Sequence, residues 1–149
     1  MPSIILKEIS LDDKPALTAC AQLIRTHSWG ADYPLDPLEE LVKGECQLGA
    51  YAGNVLAGFA ALNRWASPDG ADNGALWLAD VVVAPAFRRT KIFSTLLEKI
   101  MAQMRARPGP YFTCTDNPAV ERYLRRQGWF LHRDTLDEAG GACRVYRLY

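Results

Sequence analysis

A short apolar run, Ala75–Val83 (ALWLADVVV), is interrupted by a single charge, Asp80. Such a run, too short for a helix core and rich in valine, reads as a strand buried in the middle of a sheet. It passes through Pro85 into the cationic turn Arg88-Arg89-Thr90-Lys91. A helical pattern follows from about Lys91 to Arg107, with Phe93, Leu96, Leu97, Ile100 and Met104 on one face. A mid-sheet strand feeding a helix through a tight turn requires helices over the sheet, so the class is α/β. The turn also carries chemistry, because a helix start offers free N–H groups to an anion and three cations deepen the attraction. A solvated basic turn has the same composition, so both readings stand on these residues alone.

The remaining pattern supplies the rest of the sheet. Ser3–Ile9 alternates as a first strand, and Ser10-Leu11-Asp12-Asp13 has the form of a capping box ahead of Pro15. Leu17, Cys20, Ala21 and Ile24 then share one helical face, which His27–Tyr33 breaks with Gly30 and aromatics. Asp36-Pro37 starts a short second helix that Gly44 stops. Cys46–Ala52 and Val55–Trp65 form a hairpin across Gly53-Asn54. After the long helix, Pro108-Gly109-Pro110 leads into a strand at Tyr111–Thr115. Asn117-Pro118 opens a helix that Gly128 closes, and Trp129–Arg133 and Ala142–Tyr149 end the chain as strands. The expectation is one domain over residues 1–149: a mixed sheet of about seven strands flanked by about four helices.

Charge excludes some functions. The chain has 17 basic and 17 acidic residues, without the basic excess of a general nucleic-acid binder. The balance is uneven along the chain: residues 1–83 total −6 and residues 84–149 total +6. A basic C-terminal half suits a small polyanion and an acidic N-terminal half suits a cation. Cys20, Cys46, Cys114 and Cys143 form no CxxC pair, and His27 stands far from His132, so no metal site is expected. Ile4-Ile5-Leu6 is too short for a signal peptide. The uncharged stretch Cys46–Asn63 contains Gly49, Gly53 and Gly58 and reads as a hairpin, not a membrane span. A cytoplasmic protein with reduced thiols is the expectation.

In element order, and at two short motifs, the chain resembles the GNAT superfamily of acyl-CoA N-acyltransferases. Val83-x-Pro85-x-x-Arg88 is similar to the entry into that family's pyrophosphate loop, with Ile92 and Leu96-Leu97 at its apolar helix positions. Asn117 and Gly128-Trp129 resemble the family's second conserved region. The resemblance implies acetyl transfer from acetyl-CoA to a primary amine by direct attack, with no metal. It implies CoA contacts from the backbone of Val81 and Val83, from Arg88, Arg89, Thr90, Lys91, Ile92, Phe93 and Ser94, and from Asn117. Asp80 is the candidate base, since a carboxylate in an apolar strand must be paired or face a cleft. Trp29, Tyr33 and Asp80 are the candidate acceptor contacts. The acceptor is a small amine or a peptide amine, and a homodimer is left open.

Three positions depart from the family pattern. Lys91 and Phe93 stand where loop glycines are usual, and Leu124 stands where a tyrosine acid is usual, with Tyr123 beside it. Tyr123 is the candidate acid, although one helical residue is a turn of about 100°. A non-catalytic module that binds CoA or a protein is the alternative reading.

Overall fold

The computed structural model describes residues 3–149. Seven strands, β1 (Ile4–Glu8), β2 (Cys46–Ala52), β3 (Val55–Asn63), β4 (Leu76–Val83), β5 (Tyr111–Thr115), β6 (Phe130–Leu136) and β7 (Ala142–Leu148), form one sheet. Their order is β1-β2-β3-β4-β5-β7-β6, antiparallel at every junction except the parallel pair β4–β5. The helices are α1 (Lys14–Ile24), α2 (Pro37–Leu41), α3 (Ile92–Arg105) and α4 (Pro118–Arg126). The mixed α/β architecture expected from the pattern is the one found, with the strand that carries Asp80 at the centre of the sheet.

Each face of the sheet has its own core. On one face, Leu17, Cys20 and Ile24 of α1 and Leu41 of α2 pack with Phe59, Ala61 and Val82. On the other, Ile92, Leu96, Ile100 and Met104 of α3 and Leu124 of α4 pack with Ala60, Leu62, Leu78 and Val83. Gly58 lets α3 come close. A Cβ there would lie 2.9 Å from Leu96 Cδ1, 3.0 Å from the Val82 carbonyl oxygen and 3.3 Å from Ile92 Cγ2.

The caps follow the sequence with one correction. Asp36 and Asn117 cap α2 and α4 by accepting from the backbone N–H groups of Leu38 and Ala119. At α1 the cap is Asp13, which accepts from Ala16 N, and Ser10 does not serve as the cap. Ser10 Oγ instead accepts from Asp12 N and shapes the preceding turn. The aspartate directly before Lys14-Pro15 reaches the first turn of the helix, and Ser10 lies three residues too early. No helix among the described residues is long and apolar enough to cross a membrane.

Candidate functional site

The site begins where the sheet comes apart. β4 and β5 pair only at Leu76↔Tyr111 and Trp77↔Phe112. Beyond that, Thr113 Oγ1 donates to Leu78 O at 2.8 Å and the strands diverge. Ala84 N donates to Ala57 O, so alternation turns the backbone of Asp80 and Val82 towards β3 and that of Val81 and Val83 to the open edge. The Val83 carbonyl on that edge accepts from Arg88 Nε at 3.2 Å.

A bulge sets the direction of Asp80. The β3–β4 register runs Ala61↔Asp80 and then Leu62↔Leu78, so Ala79 is the extra residue. Leu76 and Leu78 face the α3 side, and after the bulge Val81 and Val83 do so. Strict alternation from Leu78 would have put Asp80 on the α3 side as well. The extra residue sends it to the opposite face, where Trp29 Nε1 donates to Asp80 Oδ1 at 3.2 Å.

Three cavities lie in a row through the opening. The first, about 490 Å³, is lined by Val81, Val83, Arg88, Arg89, Thr90 and Asn117 among others. A narrow middle cavity of about 220 Å³ runs past Val81, Asp80, Cys114 and Thr115. The third, about 320 Å³, is lined by Trp29, Tyr33, Trp65 and Asp80 among others. Ser28 borders all three. The two ends carry opposite charge. Arg88, Arg89 and His27 line the first cavity with no carboxylate, whereas Glu40, Asp80, Asp116, Asp137 and Glu138 line the third with no basic residue.

The basic loop is only partly drawn into its cavity. Arg89 has φ +65°, the left-handed region that glycine tolerates better, so a non-glycine residue carries local strain there. Lys91, at the N-cap of α3, has φ −85° and needs no glycine; it is exposed and lies outside the cavity lining. Thr90 Oγ1 donates to Phe87 O at 2.6 Å and accepts from Ile92 N, so the side chain takes up one helix-start N–H. The Ile92 side chain is in the core, and exposed Ser94 donates to Lys91 O. Phe93 lines the first and middle cavities. Tyr123 lines none of the three; its ring meets Phe93 edge-on at 6.1 Å, while neighbouring Leu124 takes the inward position. The turn per helical residue separates the two side chains.

At the acidic end, α1 widens into a π-helical turn at Arg25–Trp29. Arg25 donates to the carbonyls of Gly30, Tyr33 and Leu35 at 3.0, 2.8 and 2.5 Å and so holds this loop in place. Trp29 and Tyr33 lie 5.1 Å apart, and Tyr33 OH donates to Glu138 of the β6–β7 turn. Burial raises the Tyr33 pKa, with the Glu138 bond adding to it, so the phenol stays protonated. Burial also pushes the Asp80 carboxyl up to about 7; the Trp29 bond opposes the rise and the Glu40 charge adds to it. Cys114 has its thiol pKa raised by a hydrogen bond with Cys143 and by burial. No group of three metal-ligating side chains occurs among the described residues.

Sequence reasoning missed Arg25, Ser28, Glu40, Trp65, Asp116, Asp137 and Glu138. Only the adjacent pair Asp137-Glu138, in an otherwise basic half, offered any signal of this kind.

Comparison with known proteins places the fold and the family. The sequence model of the acetyltransferase (GNAT) family matches residues 11–129. No curated protein matches. Among solved structures, the ribosomal-protein-S18-alanine N-acetyltransferase from Escherichia coli aligns with TM-score 0.73 at 13% identity, over 98% of this chain and 93% of that one. Arabidopsis thaliana Naa50, in complex with the bisubstrate analogue CoA-Ac-MVNAL, aligns with TM-score 0.72 at 14% identity, over 99% of both chains. An aminoglycoside 6'-N-acetyltransferase complexed with coenzyme A gives 0.70 at 13% identity, over 97% and 96%. At such identities the structural matches carry the fold alone, and the family model carries membership. With a match over most of its length, from α1 through the open strand pair to Trp129, the chain belongs to the GNAT family of acetyltransferases.

Proposed function

We propose that the protein transfers an acetyl group from acetyl-CoA to a primary amine, with the donor at the basic end of the channel and the acceptor at the acidic end. The observation that carries this reading is the opposed charge of two cavities joined past the open edge of β4. Arg88 and Arg89 suit phosphate charge, and the backbone of Val81 and the N–H of Val83 on the open edge suit an extended amide-bearing arm. The narrow middle cavity holds the reacting carbonyl near the Val81 amide, an oxyanion donor.

Asp80 acts as the base. An acceptor arriving as an ammonium ion must lose a proton before its nitrogen can attack, and a carboxyl titrating near 7 takes that proton at neutral pH. The nitrogen then bonds to the thioester carbon, the carbon–sulfur bond breaks, and the second proton, shed by the new amide nitrogen, passes through water to the CoA thiolate. With Cys114 held protonated and no histidine lining the middle cavity, direct attack is favoured over an acyl-cysteine intermediate. Tyr123 has no part in this scheme, because it borders none of the cavities.

Calorimetric titration with acetyl-CoA and CoA, paired with thiol release in the presence of amines, tests the reading. One-to-one binding, with amine-dependent turnover rising with pH through about 7, supports it. Binding without turnover of any amine leaves the non-catalytic CoA-binding module. No binding removes both.

Lys91 contributes by its charge from outside the cavity. Lys91→Ala is therefore expected to weaken CoA binding about 2–5-fold at low salt and less at high salt, where exposed charges are screened within about 10 Å. Lys91→Gly should weaken it less than the alanine variant if closer approach of the backbone offsets the lost charge. Tighter binding of Lys91→Gly than of the natural protein would make the lysine an obstruction.

A further inference from the structure

The acceptor end is more acidic than recognition of one ammonium ion requires. Five carboxylates, Glu40, Asp80, Asp116, Asp137 and Glu138, line one cleft of about 320 Å³. Residues 84–149 contain six acidic residues against twelve basic ones, yet three of those six are in this lining. The hydrogen bonds around these carboxylates leave their charge in place. Asp80 accepts from the Trp29 indole, Glu138 from the Tyr33 hydroxyl, and Asp137 from the backbone of Ala139 and Gly141. Glu40 has Lys43 at 3.7 Å, its only cationic partner. A nearby loop shows the contrast. Asp69 and Asp72 are tied to Arg133 at 2.8 and 2.6 Å, and neither lines the cleft. The fold thus pairs these neighbouring acids with an arginine and leaves all those inside the cleft except Glu40 without a cationic partner.

Size and surface narrow the ligand further. A cleft of about 320 Å³ lies at the small end of ligand pockets, which run from about 300 to 1,000 Å³. The Trp29–Tyr33 pair and Trp65 offer aromatic faces to methylene groups and to cations.

We infer that the acceptor is a small linear polyamine. Its reacting nitrogen lies at Asp80, and its further ammonium groups lie among Asp116, Asp137 and Glu138. This rests on the acetyl-transfer reading and specifies its substrate class. A single-charge amine would leave most of these carboxylates uncompensated, and a peptide would bring carbonyl dipoles and bulk that the cleft does not favour.

The test uses spermidine, n-butylamine and a short peptide with a free N-terminus, followed by thiol release from acetyl-CoA. Spermidine is expected to exceed butylamine in kcat/KM by about 10–100-fold at low salt, one or two further screened ion pairs, and to lose most of that advantage at high salt. Asp116 is exposed at the rim, and none of the side-chain bonds above involves it. Asp116→Asn should therefore lower the spermidine-to-butylamine ratio about 5–10-fold, mainly through KM, without disturbing the fold. Calorimetry with spermidine alone reads the cleft with no chemistry. Salt-sensitive binding weakened by Asp116→Asn supports the inference even if acetyl-CoA fails to bind, in which case only the transfer reading falls. Absence of spermidine binding, equal use of spermidine and butylamine, or preference for the peptide overturns it.

Discussion

Asp80→Asn is expected to lower kcat/KM for acetyl transfer by about 10²–10⁴-fold, the usual contribution of a positioned base, while the acetyl-CoA Kd stays within about threefold. The amide keeps the size of the carboxylate and can still accept from Trp29, but it cannot take the ammonium proton. The variant should also lose the rise in rate through about pH 7 that is expected of the natural protein. Its stability should move the other way. The folded chain keeps the Asp80 proton up to about pH 7, whereas an unfolded aspartate releases it near 3.8. Stability from this group is thus fully present below about pH 4 and lost as pH rises through about 7. At 1.36 kcal/mol per pH unit of separation, the loss is bounded by about 4 kcal/mol. Above pH 7 the asparagine variant should therefore melt at a higher temperature than the natural protein. A variant that is less stable at every pH, or that no longer binds acetyl-CoA, would show a structural carboxylate and not a base.

Leu96→Ala is expected to cost about 3–4 kcal/mol in denaturant unfolding, because Leu96 is fully buried between α3 and the sheet. One of its methyl groups occupies the space over Gly58. Gly58→Ala alone should cost about 1–3 kcal/mol, since its Cβ would press on both that methyl and the Val82 carbonyl. In the Leu96→Ala background the methyl is gone and only the contacts with Val82 and Ile92 remain. The double variant should therefore be more stable than the sum of the two losses, by about 0.5–1.5 kcal/mol. Strict additivity would show that α3 does not rest on Gly58 as described. Gly58→Ala should also weaken CoA binding, because Ile92, in the first turn of the helix, is among the atoms displaced.

Much of this architecture is legible in the sequence because it rests on local periodicity. Leu17, Cys20, Ala21 and Ile24 mark the buried face of α1, and Phe59 and Ala61 alternate with Ala60 and Leu62 between the two cores. No local signal marks the opening between β4 and β5; only the strand pairing shows where they part. The direction of Asp80 is not legible. In a run that is apolar on both sides of Asp80 one extra residue leaves no mark, and only the partner register exposes the bulge at Ala79. Nor could the acidic cleft be read, since Glu40, Asp80, Asp116 and Glu138 come from separate elements that meet only through the topology. Arg25 was invisible for a related reason: its partners are backbone carbonyls, which carry no residue code.

The open edge of β4 has a consequence for how the molecule exchanges hydrogen with solvent. Val81 and Val83 belong to the centre of a seven-stranded sheet, where amides are ordinarily the slowest to exchange. Their N–H groups have no strand to donate to, so in the free protein they should exchange as fast as those of a loop, while Asp80 and Val82, bonded to β3, stay protected. An extended ligand lying along the edge would act as the absent strand and slow Val81 and Val83 selectively. The protein's interior would then hold a built-in reporter of occupancy, two alternate residues in one strand whose protection switches with the ligand while their neighbours do not change.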